Sequence, residues 1–155
     1  MPLAPHRQIS CPSFPQEHGE EPRARRGGDA PVALHLPVAP RCNVQCFFCD
    51  RGGDCTQHSP PGSASVLLTP QQAVTYAREA LALEPRISSF GVTGPGDPLA
   101  NASATLRTLQ SLRAAQPAMP LFIATNGLAL AENAARLAQV GVNLVMVTVN
   151  AIDAE

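Results

Sequence analysis

From about residue 32 onward, short apolar runs in this 155-residue chain take turns with longer segments in which apolar residues recur every three or four positions. That alternation leaves little choice of architecture. Consecutive strand and helix segments of these lengths form βα units, and a series of such units builds a parallel sheet covered by helices. The first strand is expected over Val32 to Val38, despite Pro37. The first helix should begin at Thr69, whose hydroxyl can cap orphan amides, with Pro70 at the first helical position, where a missing N–H costs nothing. Ala73, Val74, Ala77, Ala80, Leu81 and Glu84 follow at helical spacing until Pro85 stops it. The second strand is Ile87 to Thr93, and the second helix, capped near Asn101 or Ser103, buries Leu106, Leu109 and Leu112 before Pro117. Leu121 to Thr125 is the third strand, and the third helix runs from Leu130 to Val140, closed by Gly141 in a left-handed conformation. The fourth strand, Val142 to Val149, is almost continuously apolar and so is expected to be covered on both faces.

Four βα units make an α/β fold that is part of a (β/α) barrel, since a complete barrel needs ~250 residues. The expectation is a fragment, a truncated product or one half of a two-chain assembly. Residues 1–30 carry Pro2, Pro5, Pro12, Pro15 and Pro22, the run Arg23-Ala24-Arg25-Arg26 and Gly27-Gly28, with no sustained periodicity. They read as a poorly ordered leader, and the arginine run as a solvated face. Residues 31–155 form the folded domain.

Charge excludes some partners. Eleven basic against twelve acidic residues give a net charge of -1, too little for a broad nucleic-acid or anionic-membrane footprint. No apolar run reaches the ~20 residues that span a bilayer, and the amino terminus lacks the regions of a secretory signal. A cytoplasmic protein is expected.

The chemistry is concentrated in the cysteines. Cys42, Cys46, Cys49 and Cys55 fall within fourteen residues, and Cys11 stands apart. An odd, clustered set without a secretory signal points to metal rather than disulfides. Cys42, Cys46 and Cys49 form C-x-x-x-C-x-x-C, which lets one loop turn three thiolates toward a common point. Three thiolates leave one iron of a four-iron cluster open to a small chelating ligand. The same spacing, with Cys55 as fourth ligand, also suits tetrahedral zinc. The loop follows the first strand, so it lies at the carboxyl end of the sheet, where parallel α/β folds assemble their active sites. The second strand runs into Gly94-Pro95-Gly96-Asp97-Pro98, whose glycines allow close backbone approach to a ligand and whose prolines stiffen the loop. Thr125-Asn126-Gly127 ends the third strand, and Thr148, Asn150 and Asp153 end the fourth. Polar groups therefore recur at the rim that carries the cysteines.

These residues resemble the radical S-adenosylmethionine (SAM) enzymes and, among them, the nitrogenase cofactor-maturation (NifB) family. The resemblance is carried by the stretch from His35 to Cys49, then Asp54-Cys55, Gly94 to Asn101, Thr125 to Leu130 and Val147 to Asp153, almost without gaps. It implies a barrel of the radical SAM kind, with residues 31–155 as its amino-terminal half. It implies that Cys42, Cys46 and Cys49 hold a 4Fe-4S cluster whose open iron chelates SAM. Gly94, Pro95, Gly96 and Asp97 would contact the methionine part, and Thr125, Asn126 and Asn150 its polar groups. Reductive cleavage of SAM would yield a 5'-deoxyadenosyl radical, and in this family two further 4Fe-4S clusters are fused with insertion of a carbide. Cys55 and Cys11, with His6 or His18, match accessory cluster ligands. Cluster-donor and nitrogenase cofactor-carrier proteins would be partners, together with a reductant such as ferredoxin or flavodoxin.

Three positions depart from the family. Phe122 stands for a cysteine, His58 for a glutamate and Ala124 for a serine. Two other readings therefore stay open: a radical SAM enzyme acting on an organic substrate, and a non-catalytic iron-sulfur carrier or truncated remnant.

Overall fold

The computed structural model describes residues 30–46, 49 and 66–149. Most of the leader lies outside these. Strands β1 (Val32–Pro37), β2 (Ile87–Thr93), β3 (Leu121–Thr125) and β4 (Leu144–Val147) alternate with helices α1 (Pro70–Leu83), α2 (Ala102–Ala115) and α3 (Leu130–Val140). The strands pair in parallel in chain order, β1-β2-β3-β4. The fold is thus part of an α/β barrel, three βα units followed by a fourth parallel strand among the described residues, in keeping with the alternation of segments.

Side chains divide between the two faces of the sheet by the period of two that strands impose. Leu34 and Leu36, Phe90 and Val92, and Leu121 and Ile123 join the helices' Ala73, Ala77, Leu106, Leu109, Leu112 and Leu137 in one apolar cluster. His35, Gly91 and Phe122 turn to the opposite face, where the Phe122 ring meets His35 edge-on at 5.3 Å between centroids and covers Gly91. Pro37 is tolerated because β1 borders the sheet. Its carbonyl accepts the amide of Leu68 at 2.8 Å, which leads the chain back toward α1.

Local signals set the helix ends. Thr69 closes a capping box: its hydroxyl accepts the Gln72 amide at 3.3 Å while the Gln72 carboxamide oxygen accepts the Thr69 amide at 2.9 Å. Gly141 ends α3 at a φ of 78°, the left-handed conformation expected of it. Asn101 occupies the position before α2 but makes no cap bond; its side chain is used elsewhere, as described below. The expectation for the last strand also fails. It is shorter than Val142 to Val149, and Leu144 is 53% exposed, with Met146 and Val147 also open. An edge strand can be as apolar as a doubly covered one, so hydrophobicity alone did not separate the two cases.

The amino-terminal ends of the strands are tied by Arg113, projecting from α2. Its guanidinium donates to the carbonyls of Pro117 (2.7 Å), Met119 (2.9 Å) and Gly141 (2.7 Å) and to Asn143 Oδ1 (3.0 Å). Asn143 Oδ1 in turn accepts the amide of Leu121 at 2.9 Å. One cation thereby joins the turns that enter β3 and β4. Removing the capping hydroxyl in Thr69→Ala is expected to lower stability by about 1 kcal/mol, read as a lower midpoint in urea at unchanged slope; an unaltered midpoint would show the capping box to be inert.

Candidate metal centre and its rim

At the opposite end of the sheet the chain leaves β1 already fastened to β2. Val38 and Ala39 both donate to the Thr93 carbonyl, at 2.9 and 3.2 Å. The cysteines follow immediately. Cys49 donates its amide to the Cys46 carbonyl at 3.1 Å, and the Gln45 carboxamide bridges the carbonyls of Cys46 (3.3 Å) and Cys49 (3.2 Å). Gln45 escaped the sequence reading, although its place between two cysteines was the available signal. Cys42, Cys46 and Cys49 are all half-buried.

The loop after β2 packs on this segment, backbone to backbone. Gly96 donates to the Ala39 carbonyl at 2.9 Å and Asp97 to the Arg41 carbonyl at 2.9 Å, while Asn101 Nδ2 reaches the same Arg41 oxygen at 2.6 Å. A Cβ on Gly96 would collide with the backbone of Arg41. The same lack of a side chain that suits the glycines to a ligand also admits the close approach of the cysteine loop.

Asp97 is 1% exposed and sits where the loops after β2 and β3 meet. Its Oδ1 accepts the amides of Leu99 (2.8 Å) and Ala100 (3.2 Å), its Oδ2 accepts the amide of Asn126 (2.6 Å), and the Thr125 hydroxyl lies within 2.9 Å of both oxygens. Thr125 is fully buried. In this structure the side chains of Asp97 and Thr125 are therefore engaged with each other and with neighbouring amides. Asn126 alone of the three extends toward the cysteines, with Nδ2 2.7 Å from Asn43 Oδ1 and 3.7 Å from Cys42 Sγ. Of the sequence-expected rim residues, Gly94 and Gly96 thus lie against the segment that leads to Cys42, Asp97 and Thr125 join the two loops, and Asn126 reaches Cys42 itself. His6, Cys11, His18, Cys55, His58, Asn150 and Asp153 lie outside the described residues.

The donor set fits an iron-sulfur cluster in chemistry. Thiolate is the ligand such clusters take, and all three cysteines lie on one turn at the rim, although among the described residues no three His, Cys, Asp or Glu side chains stand grouped around a point. The hydroxyl of Thr93, whose carbonyl fastens Val38 and Ala39, is 1% exposed and has no partner among the described residues. A buried orphan hydroxyl at the end of β2 suits a site that receives a polar ligand. His35 Nδ1 likewise has no partner among the described residues. Burial pushes the His35 pKa below its usual 6.5, so its ring is predominantly neutral at pH 7. Phe122, 6% exposed, meets it edge-on. Two cavities of about 270 and 350 Å³ open among α1, α2, β1 and β2, lined by residues such as Val74, Leu112 and Leu34.

Comparison with known proteins accords with this geometry. The sequence model of the Radical SAM superfamily matches residues 36–155. A FeMo cofactor biosynthesis protein NifB from Rhizobium leguminosarum is 42% identical over 120 residues, which cover 77% of this chain and 74% of that protein. The chain belongs to the radical SAM superfamily, in its NifB family. Another NifB-family relative, the FeMo cofactor biosynthesis protein NifB of Klebsiella pneumoniae, is 48% identical over 132 residues, covering 85% of this chain and 28% of the relative. The chain thus spans less than a third of that protein. The fold is shared with a radical SAM structure, the crystal structure of BtrN in complex with AdoMet and 2-DOIA, at a TM-score of 0.54 and 18% identity, over 78% of this NifB-family chain and 46% of the other. No helix among the described residues is long and apolar enough to cross a membrane.

The contact between the glycine loop and the cysteine loop leaves no room for a methyl group. Gly96→Ala is expected to cost roughly 1–3 kcal/mol in chemical denaturation and to lower iron uptake on anaerobic reconstitution. Wild-type stability and iron content together would contradict the close approach.

Proposed function

We propose that this chain carries the SAM-cleaving part of a radical SAM iron-sulfur enzyme of FeMo cofactor biosynthesis. The single observation behind this reading is the Cys42-Cys46-Cys49 turn, held against the glycine loop and the Asp97-centred rim at the carboxyl end of a parallel sheet. Cys42, Cys46 and Cys49 would hold a 4Fe-4S cluster. When bound, that cluster supplies one electron for cleaving a carbon-sulfur bond of SAM and an open iron to chelate it.

The protein's own work is positioning and exclusion of water. Backbone groups of Gly94, Pro95 and Gly96 border the place where the methionine part of SAM would lie. Asp97 and Thr125 hold that border to the loop after β3, Asn126 adds a carboxamide beside Cys42, and Asn150 is a further candidate for the polar groups of SAM. The buried Thr93 hydroxyl and the neutral His35 ring, both without a partner among the described residues, would be further candidates to bond SAM or its reaction partner. The finer reaction is fusion of two further 4Fe-4S clusters, taken as substrate, with insertion of a methyl-derived carbide. It would draw on Cys55, Cys11 and His6 or His18 as accessory ligands. Cluster-donor and cofactor-carrier proteins and a ferredoxin or flavodoxin reductant would be its partners.

A second reading, radical chemistry on an organic substrate, is favoured by Phe122. Its buried ring lies on the barrel-facing side of β3 against His35 and offers no ligand atom to iron. Electron paramagnetic resonance separates the two by counting clusters: more than one per chain supports cofactor assembly, and only the SAM-responsive one supports an organic substrate.

Anaerobic reconstitution with iron and sulfide tests the shared core of both readings. The expected product is a brown protein whose reduced-cluster signal changes when SAM is added, with the signal abolished in Cys42→Ala, Cys46→Ala and Cys49→Ala. A colourless protein retaining zinc, or a cluster indifferent to SAM, would contradict it.

A further inference from the structure

Every hydrogen-bonding group on the Asn126 side chain is committed, and the commitments fix which way its amide faces. Oδ1 accepts the amide of Leu128 at 3.0 Å, a bond only the oxygen can accept. Nδ2 is thereby turned to the cysteine loop, where one N–H goes to Asn43 Oδ1 at 2.7 Å and the other is directed at Cys42 Sγ, 3.7 Å away. The backbone is held as firmly. Asp97 Oδ2 accepts the Asn126 amide at 2.6 Å, and the Thr125 hydroxyl, bonded to the same carboxylate, accepts the Gly127 amide at 3.2 Å. A fully buried carboxylate on the loop after β2 thus fixes a short turn after β3, and that turn delivers one polar N–H to one sulfur.

We propose that Asn126 is a positioning residue that tunes the Cys42 thiolate, its N–H aimed by the Asp97–Thr125 clasp so as to raise the reduction potential of the cluster Cys42 holds. The physical ground is the charge difference between oxidation states. Reduction adds an electron to the cluster and its sulfurs, so a donor pointed at a ligating sulfur stabilises the reduced form more than the oxidised form. The Asn126 donor is directed at Cys42 Sγ, one corner of the ligand set. The inference rests on the proposed function above, because it requires a cluster on Cys42, Cys46 and Cys49. It also gives Asp97 a role that involves no contact with SAM.

The test is a redox titration of the reconstituted full chain, followed by electron paramagnetic resonance with dithionite as reductant and soluble mediators. The signal followed is the one lost in Cys42→Ala. Asn126→Ala is expected to shift its midpoint to more negative potential by about 59 mV, the equivalent of a tenfold change for a one-electron couple. Asn126→Asp, which replaces the donor with an acceptor, should shift it further in the same direction. Thr125→Val, which loosens the clasp without changing its charge, should also lower the midpoint, and combining it with Asn126→Ala should add nothing to Asn126→Ala alone, because the first acts through the second. Asn126 lies at the half-exposed rim, so its variants remain informative even if Thr125→Val does not fold. A cluster assembled in full in both Asn126 variants, with the wild-type midpoint, would overturn the proposal while leaving the proposed function intact. A wild-type chain that assembles no cluster would overturn both.

Discussion

The buried carboxylate of Asp97 is the interaction on which the catalytic end of this fold depends. Four donors from two loops converge on it: the amides of Leu99, Ala100 and Asn126 and the hydroxyl of Thr125. Each buried donor left without a partner would cost ~1–3 kcal/mol, so the loops cannot separate without a large penalty. The same residue's amide is bonded to the Arg41 carbonyl, one position before the first cysteine. A single residue thus ties the exits of β2 and β3 to the loop that leaves β1, and the geometry around Cys42 follows from that tie.

The sheet is fastened by different chemistry at its two ends. Arg113 gathers carbonyls and Asn143 where β3 and β4 begin, while Asp97 gathers amides and a hydroxyl where β2 and β3 finish. Between them lies the apolar cluster of Leu36, Phe90, Val92, Leu121 and Ile123 with the helices. In parallel α/β barrels the carboxyl ends of the strands carry the chemistry and the amino ends contribute stability. The two polar hubs follow that division.

What the sequence made legible was what is decided locally. Thr69, Pro70 and Gln72 specify the start of α1 through bonds within one turn, and Gly141 ends α3 through its own backbone freedom, so both were readable residue by residue. β2 and β3 were equally plain, being apolar segments bounded by prolines and rim motifs. The failures share one cause, pairing across long separations. Asn101 looked like a cap, yet its carboxamide serves Arg41, sixty positions away. The glycines after β2 also seat the cysteine loop, a contact between segments some fifty positions apart that the spacing did not announce. β4 looked like a doubly covered strand because apolar content does not reveal where a strand lies in a sheet. Of the site, the cysteine triplet and rim motifs could be read in advance; the way Asp97, Thr125 and Asn126 divide the work between them could not.

For a radical SAM domain of the NifB family this organisation has a chemical consequence. A rim that is hydrogen-bonded in advance loses little entropy when ligands arrive, so the cost of ordering falls mainly on the cysteine turn. Amide hydrogen exchange on the metal-free chain tests that central claim most directly. The account predicts strong protection of the Leu99 and Asn126 amides, comparable with the neighbouring strands β2 and β3, before any iron is added. Exchange at those two amides as fast as in an unstructured peptide, with the strands still protected, would contradict it.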